Sequence, residues 1–237
     1  MWPFSKSVQL IESGIFQGMT DCHSHLLPGV DDGVEKLETT LAILQLMEEE
    51  GVKKVWLTPH IMEDIPNRTD ELRARFAELM QQYRGKVELS LAAEYMLDNL
   101  FDERLANDDI LPLREGKNYL LVETSYFNPP IELLATLKRV QAKGFYPLLA
   151  HPERYMYMRL SDYTQLRNEG IEFQLNLFSL VDAYGKEVRK RAEWLLKNGH
   201  YSLCGGDTHR KIVWQNCSVR TLSASVVRQL SELIHSY

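Results

Sequence analysis

The chain has 237 residues, of which 44 % are hydrophobic and 25 % are charged, so it is long enough for one large domain with a sizeable core. Its formal charge of −6, without a long block of one sign, argues against non-specific binding to nucleic acid or anionic membranes. Because the three cysteines are widely spaced and no long apolar segment is present, we expect a cytoplasmic protein without a disulfide framework or membrane span.

The first informative segment is DCHSH at residues 21–25, which we interpret as part of a buried strand. Side chains alternate along a strand, so His23 and His25 point the same way. Neutral imidazole is the commonest transition-metal ligand, and this pair therefore predicts half of a metal site. Two strand histidines that only make hydrogen bonds are the plain alternative.

Strand and helix patterns alternate along the rest of the chain. Short apolar runs predict strands at 19–25, 53–58, 87–93, 118–123, 146–150, 171–176 and 200–204. A 3.6-residue periodicity predicts helices near 34–50, 69–84, 98–107, 130–143, 161–169, 184–198 and 221–235. Asp31 or Asp32 can cap the first helix and Gly51 can end it. Seven strand–helix units favour an α/β fold with a parallel sheet closed into a barrel, and an open doubly wound sheet is the alternative.

Metal-ligand residue types recur at the ends of the predicted strands or in the loops that follow. They are His23, His25, Asp32, His60, Glu94, Glu123, His151, Asp207 and His209. Such groups are costly to bury unless they are paired or bind a cation, and in a parallel barrel the carboxyl ends of the strands form one face. Five imidazoles and four carboxylates exceed the four ligands of one zinc ion, so they predict a cluster of two or three ions. Mixed ligation suits manganese, iron or zinc, and such clusters hydrolyse phosphate esters.

As an ordered set, these residues resemble the PHP (polymerase and histidinol phosphatase) superfamily. The shared motifs are HSH at 23–25, TPH at 58–60, Glu94, Glu123, HPERY at 151–155 and DTH at 207–209. The opening DCHSHLLPGVDDG at 21–33 is similar to the bacterial capsule and exopolysaccharide branch, the manganese-dependent protein-tyrosine phosphatases of the CpsB/CapC/YwqE type. The resemblance covers roughly residues 16–210, and the segment after His209 departs from the family pattern.

The resemblance implies a distorted (β/α)7 TIM-like barrel as a single PHP domain over 1–237, with a core of about 16–237 and an N-terminal extension over 1–15. It implies three divalent ions, with manganese expected and iron or zinc as alternatives. The implied ligand sets are His23, His25, Glu94 and Asp207; the bridging Glu94 with Glu123 and His151; and Asp32, His60 and His209. The implied catalytic residues are Arg154, Asp207 and His209, and the implied substrate-binding residues are Arg154 and Arg210. The implied partner is a phosphotyrosine protein, namely a bacterial tyrosine kinase of polysaccharide export.

Several alternatives stay open at this point. Asp31 competes with Asp32 for the third ion. Cys204 and Arg210 have the Cys-x5-Arg spacing of cysteine-dependent tyrosine phosphatases, although Asp207 between them opposes a phosphate. Other functions are a small-molecule phosphatase such as one for histidinol phosphate, a nuclease-type phosphoesterase, or a metal-binding module without activity. Aromatic residues that follow strand ends are candidates for a wall against a phosphotyrosine ring: Tyr126, Phe127, Tyr155, Tyr157 and Phe178.

Overall fold

The computed structural model describes residues 7–128 and 130–235, which form a mixed α/β fold. The described helices are α1 Leu37–Glu50, α2 Thr69–Gln82, α3 Asn99–Ala106, α4 Leu133–Ala142, α5 Leu160–Asn168, α6 Lys186–Lys197, α7 Lys211–Ser218 and α8 Ala224–Ile234. The described strands are β1 Ser7–Gln9, β2 Thr20–Asp21, β3 Lys54–Leu57, β4 His60–Ile61, β5 Glu88–Leu91, β6 Glu94–Met96, β7 Leu113–Glu115, β8 Lys117–Glu123, β9 Tyr146–Ala150, β10 Glu172–Asn176, β11 Leu203–Gly205 and β12 Thr221–Ser223. Two 3₁₀ helices, Pro152–Arg154 and Leu177–Val181, follow β9 and β10.

The strands that carry the predicted ligands run parallel to one another. One sheet has the order β2–β3–β5, and a second has the order β11–β10–β9–β8–β6–β4, with β7 antiparallel to β8. Two predicted strands, 53–58 and 87–93, are each followed by a short strand that was not predicted: β4 follows β3 after Thr58-Pro59, and β6 follows β5 after Ala92-Ala93. Since Pro59 has no N–H to donate, the ladder is interrupted there, and the chain resumes pairing at His60. The pairs β3–β5 and β4–β6 are both parallel.

Backbone hydrogen bonds join β2 and the segment after it to β11. The Cys22 N–H donates to the Cys204 carbonyl at 3.1 Å, and the Asp207 N–H donates to the His23 carbonyl at 2.7 Å. Gly205 is required at this contact, because a Cβ there would lie 2.5 Å from the Cβ of His23. These bonds bring the carboxyl ends of the first and last parallel strands together.

Alternating side chains of the strands pack on two sides. Leu120 and Val122 of β8 belong to the main hydrophobic cluster, which includes the buried faces of the helices. Leu121, between them, belongs to a smaller cluster with Trp56 of β3 and Leu148 of β9. This period of two is that of a strand buried on both faces.

All seven predicted helices and all seven predicted strands have counterparts, although several ends differ. The first strand is shorter than predicted, because only Thr20–Asp21 forms a continuous ladder and the backbone beyond it divides its hydrogen bonds between β11 and Thr58. The predicted cap of α1 is wrong: the helix begins at Leu37, and its N-cap residue Lys36 makes no side-chain cap bond. Gly51 does end the helix in the left-handed conformation, with φ at 101°.

The sequence did not predict α7 or the antiparallel pair β1–β12. Helix α7 has eight residues and no side-chain cap at its N-terminus, whereas α3, which has the same length and was predicted, is capped by Asp98. Strands β1 and β12 are three residues each and pair across almost the whole chain length. Among the residues that the structure describes, no helix is both long and apolar enough to cross a membrane.

Candidate metal centre

Glu94 lies at the centre of the predicted ligands. Its Oε2 atom lies 3.1 Å from Nε2 of His23, 3.3 Å from Nε2 of His25 and 3.2 Å from Nδ1 of His60. Its Oε1 atom lies 3.1 Å from Nε2 of His151. The carboxylate is fully buried, so four imidazoles from the segments that follow β2, β3 and β9 converge on one desolvated anion.

Asp207 uses its two oxygens differently. Oδ1 lies 3.3 Å from Nε2 of His25 and 3.4 Å from Nδ1 of His209. Oδ2 accepts hydrogen bonds from the Arg154 guanidinium at 2.8 Å and from the Asn176 side-chain amide at 3.1 Å. One oxygen therefore faces the imidazoles, and the other is held by fixed donors that orient the carboxylate.

Asp31 and Asp32 have different surroundings. The Oδ2 atom of Asp31 accepts from Nδ1 of His25 at 2.8 Å and from the backbone N–H of His60 at 3.1 Å. This bond leaves Nε2 of His25 directed to the cluster, which is the arrangement of a carboxylate that orients a ligating imidazole. Asp32 instead places Oδ1 at 3.4 Å from Nε2 of His209 and 3.6 Å from Nε2 of His60.

Glu123 completes the set on the side of β8. Its Oε1 atom lies 3.2 Å from Nδ1 of His60, and its Oε2 atom lies 3.9 Å from Nε2 of His151. The hydroxyl of Tyr126 donates to Oε2 at 3.3 Å. Glu123 was expected beside His151, and the geometry places it nearer to His60.

The spacing of the donor atoms fits divalent cations. Two ligands that each lie about 2.1 Å from a first-row metal ion, at angles between 90° and tetrahedral, are about 3.0–3.4 Å apart. The distances from Oε2 of Glu94 to three imidazole nitrogens fall in that range. Yet this buried oxygen accepts no hydrogen bond from any described residue, so the nitrogens are close to it without being aimed at it. The ligand atoms form four overlapping groups, and within each group the atoms lie within 4.8 Å of one another. Together the four groups contain all nine predicted ligands.

The charges at the site also favour the binding of cations. Five carboxylates meet there, because Asp31 adds to the four predicted ones, whereas Arg154 supplies a single guanidinium. Burial by itself would lower the pKa of His23, but the Glu94 and Asp207 carboxylates raise it to about 9. The hydrogen bond from His209 lowers the pKa of Asp32 to about 2, against a smaller opposing effect of burial. The buried carboxylates are thus stabilised by positive charge at the site, which is supplied either by protons on the imidazoles or by divalent cations.

Two of the ligand-type residues adopt strained backbone conformations. His151 has φ at 34° and Asp207 has φ at 49°, in the left-handed region that non-glycine residues seldom occupy. Each follows a buried strand directly or closely, and the strain turns its side chain back toward the cluster. Outliers of this kind are concentrated at functional sites.

Arg154 is clamped between two aromatic rings. Its guanidinium carbon lies 4.3 Å from the ring centre of Tyr126 and 4.3 Å from that of Tyr184. Together with the bond to Asp207, these contacts fix the guanidinium in one place, and its side chain keeps 19 % of its exposure. An arginine so held can present its remaining N–H groups to an anion with little loss of conformational freedom.

These residues line a cleft of about 320 Å³ at the carboxyl ends of the strands. The lining residues are Asp32, His60, Met62, Glu94, Met96, Glu123, Tyr126, His151, Arg154, Tyr184, Asp207 and His209. Seven of the nine predicted ligands line the cleft. The other two, His23 and His25, are fully buried and complete the cluster. Arg210 is exposed at the start of α7 and is not among the lining residues of the described chain, so the structure does not bring it into the cleft.

The structure does not place the predicted aromatic residues together on one wall of the cleft. Tyr155 and Phe178 are fully buried, Phe127 is 87 % exposed, and Tyr126 is engaged with Arg154. Sequence reasoning missed Tyr184, which lies in a loop without a strand-end signal. It also did not assign a role to Asn176, although its position at the end of β10 was a signal. The amide of Asn176 donates to Asp207 and to the Tyr184 hydroxyl.

Cys204 is not part of the cleft. Its side chain is fully buried in the main hydrophobic cluster. Burial raises the pKa of its thiol well above the ordinary value, so the thiolate that a cysteine-dependent phosphatase needs is disfavoured. The Cys-x5-Arg spacing therefore does not correspond to a phosphate-binding loop.

A cluster of imidazoles and carboxylates at the carboxyl ends of parallel strands is typical of hydrolases that use more than one divalent cation. Residues 19–230 match the family described as capsular polysaccharide synthesis, CpsB/CapC, and the chain belongs to that family. The match spans all nine predicted ligands, and it confirms the resemblance that the motifs indicated.

Named relatives and a solved structure agree with this assignment. The chain is 26 % identical over 204 residues to tyrosine-protein phosphatase CpsB from Streptococcus pneumoniae, covering 81 % of this chain and 83 % of the relative. It is 23 % identical over 197 residues to tyrosine-protein phosphatase YwqE from Bacillus subtilis, covering 81 % and 77 %. A crystal structure from work on YwqE and CpsB, described as metal-dependent tyrosine phosphatases, superposes with a TM-score of 0.76 at 21 % identity, covering 92 % of this chain and 88 % of the other. At that identity the likeness shows the fold.

Proposed function

We propose that this protein is a metal-dependent phosphatase that removes phosphate from phosphotyrosine in proteins. The observation that carries the proposal is the convergence of nine ligand-type side chains and one clamped arginine on a single cleft. Family membership and the names of the relatives support the same reaction and the same class of substrate.

The nine ligand-type residues would hold the cations. His23, His25 and Asp207 form one group, and Glu94 connects it to His151. The remaining groups join Glu94 and Glu123 to His60, and Asp32 and His209 to His25 and His60. When bound, such ions supply charge stabilisation for the phosphoryl oxygens and activate water at neutral pH.

Arg154 would bind the phosphate of the substrate. Its guanidinium borders the cluster through Asp207, and a planar fork can pair with two phosphate oxygens at once. Asp207 and His209 would contribute to catalysis as part of the metal-holding set. Arg210 stays a weaker candidate for substrate binding, because it is exposed outside the cleft lining.

We extend the proposal to finer properties that the family suggests. The ions would be three, with manganese expected, and the substrate would be a tyrosine kinase of capsule or exopolysaccharide synthesis in the cytoplasm. The parallel strands would form a distorted (β/α)7 barrel, which is supported by the bonds between β11 and the segment after β2. The chain would be one PHP domain with residues 1–15 as an N-terminal extension, of which residues 1–6 lie outside the described part. The pairing of β1 with β12 and the burial of Leu10 support a single domain, and they make residues 7–15 part of its packing.

The test combines metal removal with substitution of buried ligands. We expect His23→Ala, Glu94→Ala and Asp207→Ala to abolish hydrolysis of a phosphotyrosine peptide while circular dichroism shows folded protein. Glu187→Ala on the exposed face of α6 is the matched control and should keep wild-type turnover. A chelator should have the same effect as the ligand substitutions, and added manganese should restore the wild type.

Three outcomes would contradict the proposal. Undiminished turnover in metal-free protein would remove the metal from the reaction. A much higher kcat/KM for histidinol phosphate or a nucleotide than for the peptide would replace the substrate class. Stoichiometric metal without hydrolysis of any phosphomonoester would indicate a metal-binding module.

A further inference from the structure

Two methionines, Met62 and Met96, form the part of the cleft lining that neither the ligands nor the arginine clamp uses. Both are half-buried. The two tyrosines of the lining each present one face to Arg154, and Tyr126 also stacks on Tyr155. The remaining members of the lining are polar or charged.

The two methionines lie at the ends of two neighbouring strands. Strand β4 pairs with β6 in parallel, with His60 opposite Glu94 and Ile61 opposite Tyr95. Met62 directly follows β4, where its backbone N–H donates to the carbonyl of Ile65, and Met96 is the last residue of β6. Both side chains line the cleft on the side of these two strands.

The methionines adjoin the ligand-type residues. Met62 lies two residues after His60, and Met96 lies two residues after Glu94 and opposite Glu123 in the parallel pairing of β6 with β8. Because both are half-buried members of the cleft lining, they form an apolar part of its wall beside the ligands. The organic part of a phosphomonoester would contact this wall when its phosphate is held by the ligand cluster and Arg154.

We infer that Met62 and Met96 form the contact surface for the aromatic ring of the substrate and give the site its preference for aryl over alkyl phosphate esters. The inference rests on the proposed function, since it assigns the leaving group of that same reaction. Thioether sulfur packs favourably against aromatic rings, and unbranched methionine adapts to them. A polar serine or sugar phosphate would leave this wall without a partner.

The test uses binding, so that it does not depend on turnover. The probes are phenylphosphonate, which carries a ring, and inorganic phosphate, which does not, and their dissociation constants are measured calorimetrically on the metal-loaded protein. For the double variant Met62→Ala/Met96→Ala, we expect affinity for phenylphosphonate to fall about 10- to 100-fold and affinity for phosphate to change less than about twofold. Met80→Ala, on the exposed face of α2, is the matched control and should change neither value.

Two further double variants separate contact with the ring from packing of the fold. Met62→Leu/Met96→Leu keeps apolar bulk and should keep most of the preference for phenylphosphonate, while Met62→Gln/Met96→Gln keeps length but should lose it. Equal loss of both probes in the alanine variant, or an unchanged ratio of the two constants, would overturn the inference. If the wild type hydrolyses phosphotyrosine peptide but binds phenylphosphonate no better than phosphate, the inference fails and the proposed function stands. If the wild type binds neither probe and hydrolyses no phosphomonoester, the proposed function fails and takes the inference with it.

Discussion

Replacing Arg154 removes the positive charge that the structure holds nearest to the ligand cluster. The guanidinium is bonded to Asp207 at 2.8 Å and lies 4.3 Å from the ring centres of Tyr126 and Tyr184. Because it is already fixed and mostly desolvated, its interaction with a phosphate is not weakened by ordering or full hydration. We therefore expect a loss of about 2–4 kcal/mol of transition-state stabilisation in Arg154→Ala. That corresponds to a decrease of roughly 30- to 1,000-fold in kcat/KM.

The assay must separate this loss from a loss of metal. In Arg154→Ala, Oδ2 of Asp207 keeps the amide of Asn176 but loses its cationic partner, so metal content and kinetics are measured in the same preparation. Arg154→Lys should recover only part of the activity, because an ammonium is a point charge that cannot form the planar fork. Arg159→Ala is the matched control, since that arginine is exposed and pairs with Asp162 away from the cleft.

The reasoning would be refuted by a fully metal-loaded Arg154→Ala protein with wild-type kcat/KM. The phosphate would then be held elsewhere, and Arg210 would be the next residue to substitute. Loss of activity in proportion to loss of metal would also refute it, because Arg154 would then support the metal site and not the phosphate.

Two further predictions concern residues outside the cleft. Cys204→Ser should keep most of the activity, because the thiol is buried and its raised pKa disfavours a thiolate; complete loss in a folded variant, with a phosphocysteine trapped in the wild type, would reverse this assignment. Glu172→Gln should lower the free energy of unfolding by about 1 kcal/mol at pH 7, measured by urea denaturation. Partial burial would raise the pKa of Glu172, but Lys117, Ser202 and Arg167 lower it to about 2, so its contribution is present above the ordinary value of 4.5 and is lost as the pH falls toward 2. A difference between wild type and variant that is as large at pH 3 as at pH 7 would contradict this account.

The candidate ligands could be predicted from sequence because their pattern is a consequence of local chemistry. An apolar run followed by His60, Glu94 or His151 indicates both a buried strand and the polar group that comes after it. In parallel strands those ends lie on one side, so residues far apart in sequence were expected together without knowledge of the packing. Seven helices and the α/β class follow from the same kind of short-range periodicity.

Roles that depend on which atom faces which neighbour could not be predicted. Asp31 and Asp32 are adjacent and chemically identical, and only the fold shows that Asp31 orients His25 while Asp32 faces His209. The helix predicted near 184–198 included Tyr184, but α6 begins at Lys186 and the tyrosine lies in the loop before it. Its contact with Arg154 joins two segments that no local rule connects.

The sequence by itself determined which residue types form the candidate site and that they lie at the carboxyl ends of the strands. Residue type and strand periodicity are local properties, so both can be read without the tertiary structure. The tertiary structure decided the pairing of donor atoms, the clamp around Arg154 and the exclusion of Cys204 and Arg210 from the cleft. Those depend on register and on the angle at which each strand meets its neighbour. Register is set by backbone bonds between segments as distant as Cys22 and Cys204, and such bonds leave no mark on either segment alone.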